Sequence, residues 1–275
     1  MELLWIIHGN KALRDNAKVP NHICRRLHNP GESTAYKRQK VFFETHKGSR
    51  AKFSTWMQHL ADAGAIGLAY ASIPRLKTFA AKSKKTDPVL YQQIETAFLN
   101  LHGNVFSAIF PDCIIPYRTY RHKLKTRGPK DATHYYWKRK VCPCNVKIIK
   151  CNMNLQKKRL TKALMEIRLF ASKTKQLNRW CEWFDTALAT LDGNPVKTDS
   201  RDIYIREMLE GSGISSVATK LLIASFQAKV FGGMSSWNDV SLPTSKYDEY
   251  DRVSDNLSKS ILASEIAAAN STLKK

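Results

Sequence analysis

The chain has 275 residues, of which 43% are hydrophobic and 10% aromatic, a composition that excludes intrinsic disorder and is sufficient for at least one packed core. Its net charge of +22 is unevenly placed: residues 1–175 hold 34 Lys and Arg against 10 Asp and Glu, whereas residues 176–275 hold 11 against 13. A positive field of this size attracts polyanions, and its confinement to one part of the chain favours two functional parts.

The expected location is the cytoplasm. No apolar run approaches the ~20 residues that a membrane-spanning helix needs, so we expect no membrane partner. The apolar run within residues 1–8 is too short for a signal peptide, and no basic residues precede it. Six cysteines are ordinary usage rather than a disulfide framework, and we expect them to be reduced.

The first 110 residues predict one short strand and two helices. Residues 3–7 form an apolar run typical of a short buried strand. Apolar residues at steps of three and four predict a helix over about 53–63. A second helix is predicted from Asp87 as N-cap and Pro88 as first residue to about residue 110.

Residues 111–154 lack the apolar periodicity of a helix. Five proline and glycine residues punctuate the segment, which predicts loops and short strands such as 146–149. These residues are Pro116, Gly128, Pro129 and Pro143, together with Pro111 at the start.

The last part of the chain is periodic and predicts a small helical bundle. Helices are expected from about residue 155, over 177–191 with a stop near Gly193, over 201–210, from Ser215 or Ser216 to Gly232 and Gly233, and over about 251–269. The sequence thus predicts a mainly α protein in two parts: a basic part over 1–154 with a Pro/Gly-broken segment of loops or short strands, and a helical domain over 155–275. The predicted core of this domain is Leu177, Phe184, Leu188, Leu222, Phe226 and Trp237.

Cations and aromatic residues alternate in the densest basic segment. Lys and Arg neutralise phosphates, and flat rings stack on unpaired bases, so this mixture favours nucleic acid and especially a single strand or RNA. The candidate binding residues are Arg118, Arg121, Lys123, Lys125, Arg127, Lys130, Tyr135, Tyr136, Trp137, Lys138, Arg139 and Lys140.

The predicted function is non-catalytic nucleic-acid binding, with two alternatives left open. One alternative is an enzyme acting on nucleic acid, either zinc-dependent or metal-independent with His122 and His134 as an acid–base pair. The other is an interaction protein of a bacterial defence or toxin–immunity system, whose basic surface binds an acidic protein. Recognisable catalytic motifs are absent: the chain has no G-x-S-x-G, no P-loop, no G-x-G-x-x-G and no H-E-x-x-H.

One cysteine cluster is a weak candidate for zinc. Cys142, Cys144 and Cys151, with His134 upstream, supply four ligands of the type that zinc prefers. Their spacing differs from the usual zinc knuckles, and small buried cysteines explain the pattern as well. We therefore expect no cofactor, with zinc as the alternative.

A short motif lies in the last third of the chain. Phe231, Gly232, Gly233 and Met234 are followed by Ser235 and Ser236, and then by Trp237, Asn238 and Asp239. This stretch resembles the Phe-Gly-Gly-Met-Gly-Ser-x-Asn-Asp hallmark of a small uncharacterised bacterial domain family, with Ser235 in place of a glycine. The Trp-rich segment from Trp180 to Phe184 and the turn at Asp192-Gly193 extend the resemblance over about residues 176–245. It implies a helical architecture and a bacterial origin, and no chemistry.

The motif favours a structural role. A left-handed cap at Gly232 and Gly233 would end the preceding helix, and Asn238 and Asp239 would close the turn with side-chain bonds to the backbone. The alternative is a ligand site formed by Asn238 and Asp239 with Trp183.

Overall fold

The computed structural model describes residues 2–20, 23, 40–44, 49–72, 104–124, 132–139, 146–150, 152–194, 200–232 and 236–273. The chain divides into two compact units, one of residues 1–149 with 272–275 and the other of residues 150–271. Helices predominate among the described residues, as the sequence predicted. No helix in these ranges combines the length and the apolarity needed to cross a bilayer.

The first unit begins with helix α1, Glu2–Asp15, rather than with the predicted strand at 3–7. Every residue from Leu4 to Asn10 is buried, so the apolar run marks a helix enclosed on all sides. A short apolar run does not distinguish a buried strand from a buried helix, which is why the prediction was wrong. Helix α2, Phe53–Asp62, begins where it was predicted and buries Phe53, Trp56, Met57 and Leu60.

A seven-stranded sheet forms the rest of the described first unit, in the order β2-β1-β6-β5-β4-β3-β7. Its strands are β1 Lys40–Glu44, β2 Arg50–Ala51, β3 Gly67–Ser72, β4 Asn104–Ile109, β5 Ile114–Leu124, β6 Ala132–Arg139 and β7 Lys147–Ile148. Strands β1 and β6 run parallel, and the other neighbouring pairs run antiparallel.

The extent of this sheet corrects two predictions. The helix expected to reach residue 110 is a strand over Asn104–Ile109, while residues 73–103 lie outside the described ranges. All five residues from Val105 to Ile109 are buried, so both faces of β4 are covered and its sequence shows no polar–apolar alternation. The segment predicted as loops and short strands contains the two longest strands of the sheet, β5 and β6.

The Asn10 side chain links α1 to the sheet through hydrogen bonds. Its buried amide oxygen accepts a 2.5 Å hydrogen bond from the Leu68 N–H, and its amide nitrogen donates to the Leu68 carbonyl at 2.9 Å. The same nitrogen donates to Thr272 Oγ1 at 2.9 Å, and Thr272 belongs to this unit although it follows the whole second unit in sequence. Because its hydrogen-bonding capacity is satisfied, this buried polar side chain stabilises the packing of α1 on β3.

The second unit is a helical bundle. Its helices are α3 Met153–Ser172, α4 Cys181–Asp192, α5 Ser200–Leu209, α6 Ser216–Gln227 and α7 Tyr247–Asn270, with 3₁₀ turns at Lys175–Trp180, Trp237–Asp239 and Thr244–Lys246. Asn152 caps α3 by accepting from the Leu155 N–H, and Ser215 caps α6 by accepting from the Ala218 N–H. Gly193 ends α4 at φ +82°, as its position after the apolar periodicity predicted.

Trp237 lies at the centre of the bundle core. Its ring stacks on Tyr250 at 5.5 Å and meets the edges of Trp180 at 5.4 Å and Phe184 at 5.7 Å. Its indole N–H donates to Ser254 Oγ at 2.8 Å, and its carbonyl accepts from Tyr250 Oη at 2.7 Å. Burial raises the pKa of Tyr250, so this hydroxyl keeps the proton that it donates.

The predicted core residues divide into four groups. Leu177, Phe184 and Trp237 lie in the core cluster, Leu188 packs against that cluster, and Leu222 is buried. Phe226 was predicted to point inward but is only half-buried, with the Lys229 ammonium 4.5 Å from the centre of its ring. The buried face of α6 instead includes Leu221, Ile223 and Ala224.

Replacing Trp237 by Ala is expected to lower the free energy of unfolding by about 3–5 kcal/mol, because the ring is fully buried and surrounded by other rings. Phe226→Ala, the matched aromatic truncation at a half-buried position, should cost only about 1–2 kcal/mol. Urea denaturation of both variants measures the difference. Equal losses would show that Trp237 does not anchor the core.

Candidate functional site

Six aromatic residues form a cluster on one face of the sheet, beneath α1 and α2. The cluster consists of Trp5, Phe43, Phe53, Trp56, Phe106 and Tyr117. Phe43 of β1 lies 4.9 Å from Trp5 and 4.5 Å from Trp56, and Trp56 meets Tyr117 of β5 edge-on at 5.1 Å. We call this side of the sheet the helix-covered face and the opposite side the second face.

The predicted basic segment forms an antiparallel ladder of β5 with β6. The register runs without interruption from Tyr117 opposite Arg139 to Leu124 opposite Ala132. On its other side β6 pairs in parallel with β1, from Lys40 opposite His134 to Phe43 opposite Trp137. Residues far apart in sequence therefore lie side by side on three adjacent strands.

Two buried residues determine which positions share each face. Tyr117 and Phe43 both belong to the aromatic cluster. Tyr117 pairs with position 139 of β6, and Phe43 pairs with position 137. Paired residues lie on the same face, and successive residues of a strand alternate between faces. Positions 135, 137 and 139 of β6 therefore belong to the helix-covered face, and positions 134, 136 and 138 belong to the second face.

This alternation produces three cross-strand rows on the second face. The central row is aromatic, with Tyr120 opposite Tyr136 and Tyr136 opposite Phe42. One flanking row pairs Arg118 with Lys138. The other flanking row consists of His122 of β5, His134 of β6 and Lys40 of β1.

The β5–β6 register places the predicted binding residues on both faces of the sheet. Arg118, Tyr136 and Lys138 occupy second-face positions, whereas Arg121, Lys123, Tyr135, Trp137 and Arg139 occupy positions of the helix-covered face. Lys125, Arg127, Lys130 and Lys140 lie outside the described residues. Among the three predicted stacking residues, only Tyr136 has the register that places it in the aromatic row.

Three members of these rows were missed by the sequence reasoning. Tyr120 was noted only as an interleaved aromatic, and Lys40 and Phe42 were not considered because β1 precedes β6 by about ninety residues. A signal for the hairpin was present: two segments rich in Tyr and Thr flank Gly128 and Pro129. No local signal reveals that β1 pairs with β6, because parallel pairing joins distant segments.

The predicted metal ligands are three cysteines and one histidine of the first part of the chain. Cys142, Cys144 and Cys151 are outside the described residues, as is the side chain of His134. Within the described part of the chain, no three His, Cys, Asp or Glu side chains form a metal-binding group. Burial raises the pKa of the Cys181 thiol, which favours its neutral form.

The motif at 231–239 closes a turn in the second unit. Ser236 and Asp239 form a capping box: the Asp239 carboxylate accepts from the Ser236 N–H at 2.9 Å, and Ser236 Oγ accepts from the Asn238 N–H at 3.3 Å. The Trp237 N–H donates to the Val230 carbonyl at 3.0 Å. Asp239 thus has the turn-closing role that the sequence favoured.

The glycine part of that motif requires a correction. Gly232 is left-handed at φ +88°, but α6 has already ended at Gln227 with Ala228 as its right-handed C-cap. Gly232 therefore shapes the turn that follows the helix and does not cap the helix itself. Gly233 and Met234 lie outside the described residues.

Comparison of the chain with family models, with curated proteins and with solved structures found no match. The resemblance of residues 176–245 to a bacterial domain family therefore stays a prediction.

The β5–β6 register has a direct chemical test. A His122→Cys/His134→Cys variant should form a disulfide on mild oxidation, because opposite residues of antiparallel strands have Cα atoms about 4.5–5.5 Å apart, within the range that a disulfide spans. The shifted pair, His122→Cys/Tyr135→Cys, places the two thiols on opposite faces and should not cross-link. Peptide mass spectrometry identifies the bridge. Preferential bridging of the shifted pair would contradict the register.

Proposed function

We propose that the protein is a non-catalytic nucleic-acid-binding protein that binds a single strand or RNA in preference to duplex DNA, on the second face of the sheet across β5, β6 and β1. The observation that carries the proposal is the register that aligns Tyr120, Tyr136 and Phe42 in one row between two rows of basic residues. In known RNA-binding sheets, aromatic side chains on adjacent strands stack two or three unpaired bases.

The aromatic row offers several platforms on which unpaired bases can stack. Neighbouring β-strands lie about 4.8 Å apart, so three rings on β5, β6 and β1 offer successive platforms. Stacking of this kind tolerates every base, because each base has a π-face. The row therefore supports binding of a single strand with little sequence preference.

The flanking rows supply the charge that a phosphate backbone requires. Arg118 and Lys138 form one cross-strand pair, and Lys40 extends the histidine row on the other side. Four further cations, Lys125, Arg127, Lys130 and Lys140, follow or precede these strands in sequence. Cations on both sides of an aromatic row suit a backbone that runs along the row.

The interface is proposed for part of the second face only. Ala69, Ala71, Val105 and Ser107 are fully buried, and their register with the aromatic cluster assigns them to this face at β3 and β4. Pro116, which pairs with Ser107, is also buried. The proposed surface therefore begins beyond Pro116 and extends over β5, β6 and β1.

We assign this role to residues 1–154 and propose that residues 155–275 form a separate helical domain. The division of charge supports the assignment, because residues 1–175 carry a balance of +24 and the remainder a balance of −2. The clustering of the described chain into two compact units is compatible with such a division of work.

The decisive variants are Tyr120→Ala and Tyr136→Ala, with Tyr135→Ala as the matched control on the same strand and the other face. Each of the first two should weaken binding to a short single-stranded RNA by roughly 5–150-fold, the equivalent of one lost stacking contact. Tyr135→Ala should alter stability more than affinity. Fluorescence anisotropy of a labelled RNA measures the affinity of each variant.

Salt separates stacking from charge in the same assay. Wild-type affinity should fall steeply between about 50 and about 200 mM salt, and duplex DNA should bind more weakly than the single strand. Unchanged affinity in both Tyr120→Ala and Tyr136→Ala would refute the stacking role. Absence of binding to any nucleic acid at low salt, with retention of an acidic protein, would favour the interaction-protein alternative.

The pairing of His122 with His134 supports a second candidate, cleavage of a phosphodiester without metal. One imidazole can accept a proton from the attacking hydroxyl while the other donates a proton to the leaving oxygen. Wild-type protein incubated with labelled RNA and a chelator should then yield fragments, and either His122→Ala or His134→Ala should abolish them while binding persists. RNA that stays intact with the wild-type protein rules this candidate out.

A further inference from the structure

Thr272 and Leu273 follow the second unit in sequence but contact α1 and β3 of the first. Thr272 Oγ1 accepts a hydrogen bond from the Asn10 side-chain amide at 2.9 Å. The Leu273 side chain lies against Gly67, where an added Cβ would overlap Leu273 Cδ1. We call Thr272 and Leu273 the strap. We propose that the strap couples the folding of the helical bundle to the packing of α1 on β3, independently of any ligand of the sheet.

The partner of the strap on α1 is a side chain that replaces a neighbouring strand. A Cβ added to Gly9 would lie 2.6 Å from Leu68 Cδ1, so this glycine lets α1 approach β3 closely. At this distance the Asn10 amide bonds both the N–H and the carbonyl of Leu68, as a residue of an adjacent strand would. Asn10 thus closes the edge of β3 at Leu68, as β7 closes it at Ala71 and Ser72.

The strap completes the hydrogen bonding of Asn10 and fills the space beside Gly67. The Asn10 amide nitrogen carries two protons, and the Leu68 carbonyl and Thr272 Oγ1 are their acceptors. A Cβ at Gly67 would meet the Leu273 side chain and would lie 2.9 Å from Asn10 Oδ1. The φ angle of Gly67 lies outside the left-handed region, so space rather than backbone conformation explains this glycine.

A single residue, Ser271, joins the end of α7 to the strap. Its N–H donates to the Ala267 carbonyl at 3.0 Å, and its Oγ donates to the Ala268 carbonyl at 2.7 Å. Ala267 and Ala268 are buried in the last turn of the helix, so Ser271 is held in place on the side of the bundle. Unfolding of this turn would give the strap the freedom of an unfolded chain, and ordering it on α1 would then cost conformational entropy.

Hydrogen exchange of the Asn10 side-chain amide, followed by NMR in the full chain, tests the strap contacts. Thr272→Val removes one acceptor and should speed this exchange about fivefold, the equivalent of one lost hydrogen bond. Thr272→Ser is the matched control, because it keeps the hydroxyl and should keep the wild-type rate. Gly67→Ala should act like Thr272→Val, because it displaces Leu273 without removing a polar group. Wild-type exchange in both Thr272→Val and Gly67→Ala would overturn the proposal.

The coupling is measured with Trp237→Ala, which weakens the core of the bundle. With the wild-type strap, this substitution should speed exchange of the Asn10 amide by at least about tenfold, because local openings of α7 become more frequent. In the Thr272→Val/Leu273→Ala background, Trp237→Ala should have no further effect on that rate. Phe226→Ala is the matched control in the bundle and should have a smaller effect, since Phe226 is only half-buried.

Three outcomes of the coupling measurement would overturn the proposal. If Trp237→Ala leaves the Asn10 exchange rate unchanged in the presence of the strap, the bundle does not influence the packing of α1. If Trp237→Ala speeds the exchange equally with and without the strap, the influence follows another route. The backbone N–H of Trp56, which donates to the Lys52 carbonyl at 2.9 Å at the start of α2, is the reference within the first unit. Equal acceleration of its exchange would indicate general unfolding of that unit rather than release of the strap.

Discussion

The aromatic cluster beneath α1 and α2 is the contact on which the first unit depends. Its six rings come from two helices and three strands, and they lie within 4.5–6.4 Å of one another in successive contacts. Rings of this size bury large apolar areas, and their edge-on and stacked geometries add directional preference. Because Phe43 and Tyr117 belong to the cluster, its packing also determines which residues of β1, β5 and β6 lie on each face of the sheet. The chemistry of the second face is a consequence of how the first face is packed.

A sheet face with many like charges needs a well-packed apolar core on its other face to remain stable. Cations at neighbouring second-face positions, such as Arg118 and Lys138, repel one another and contribute little hydrophobic stabilisation. The buried rings of the aromatic cluster supply apolar burial that offsets such repulsion without adding charge. A counter-anion such as a phosphate backbone would relieve the repulsion directly, which couples binding to stability.

Sequence reasoning succeeded where the signal is local and failed where it is not. The cap at Ser215, the stop at Gly193 and the helix over Phe53–Asp62 follow from short patterns, and the amphipathic periodicity from about residue 155 onward identifies the bundle. The run at 3–7 and the strand Asn104–Ile109 were misassigned because burial on all sides removes the alternation that separates helix from strand. The basic and aromatic residues were recognised as a set, but the pairing with β1 requires the fold.

The hydrogen bond from Asn10 to Thr272 has a consequence for biosynthesis. The first unit includes residues 272–275, so the sequence of the second unit, 150–271, is inserted within that of the first. On the ribosome, units usually fold in the order in which they emerge. Thr272 is synthesised only after every residue of the helical bundle, so until then the Asn10 amide lacks one of its acceptors. The packing of α1 on β3 can therefore gain this hydrogen bond only when synthesis of the second unit is complete, although both elements are synthesised long before it.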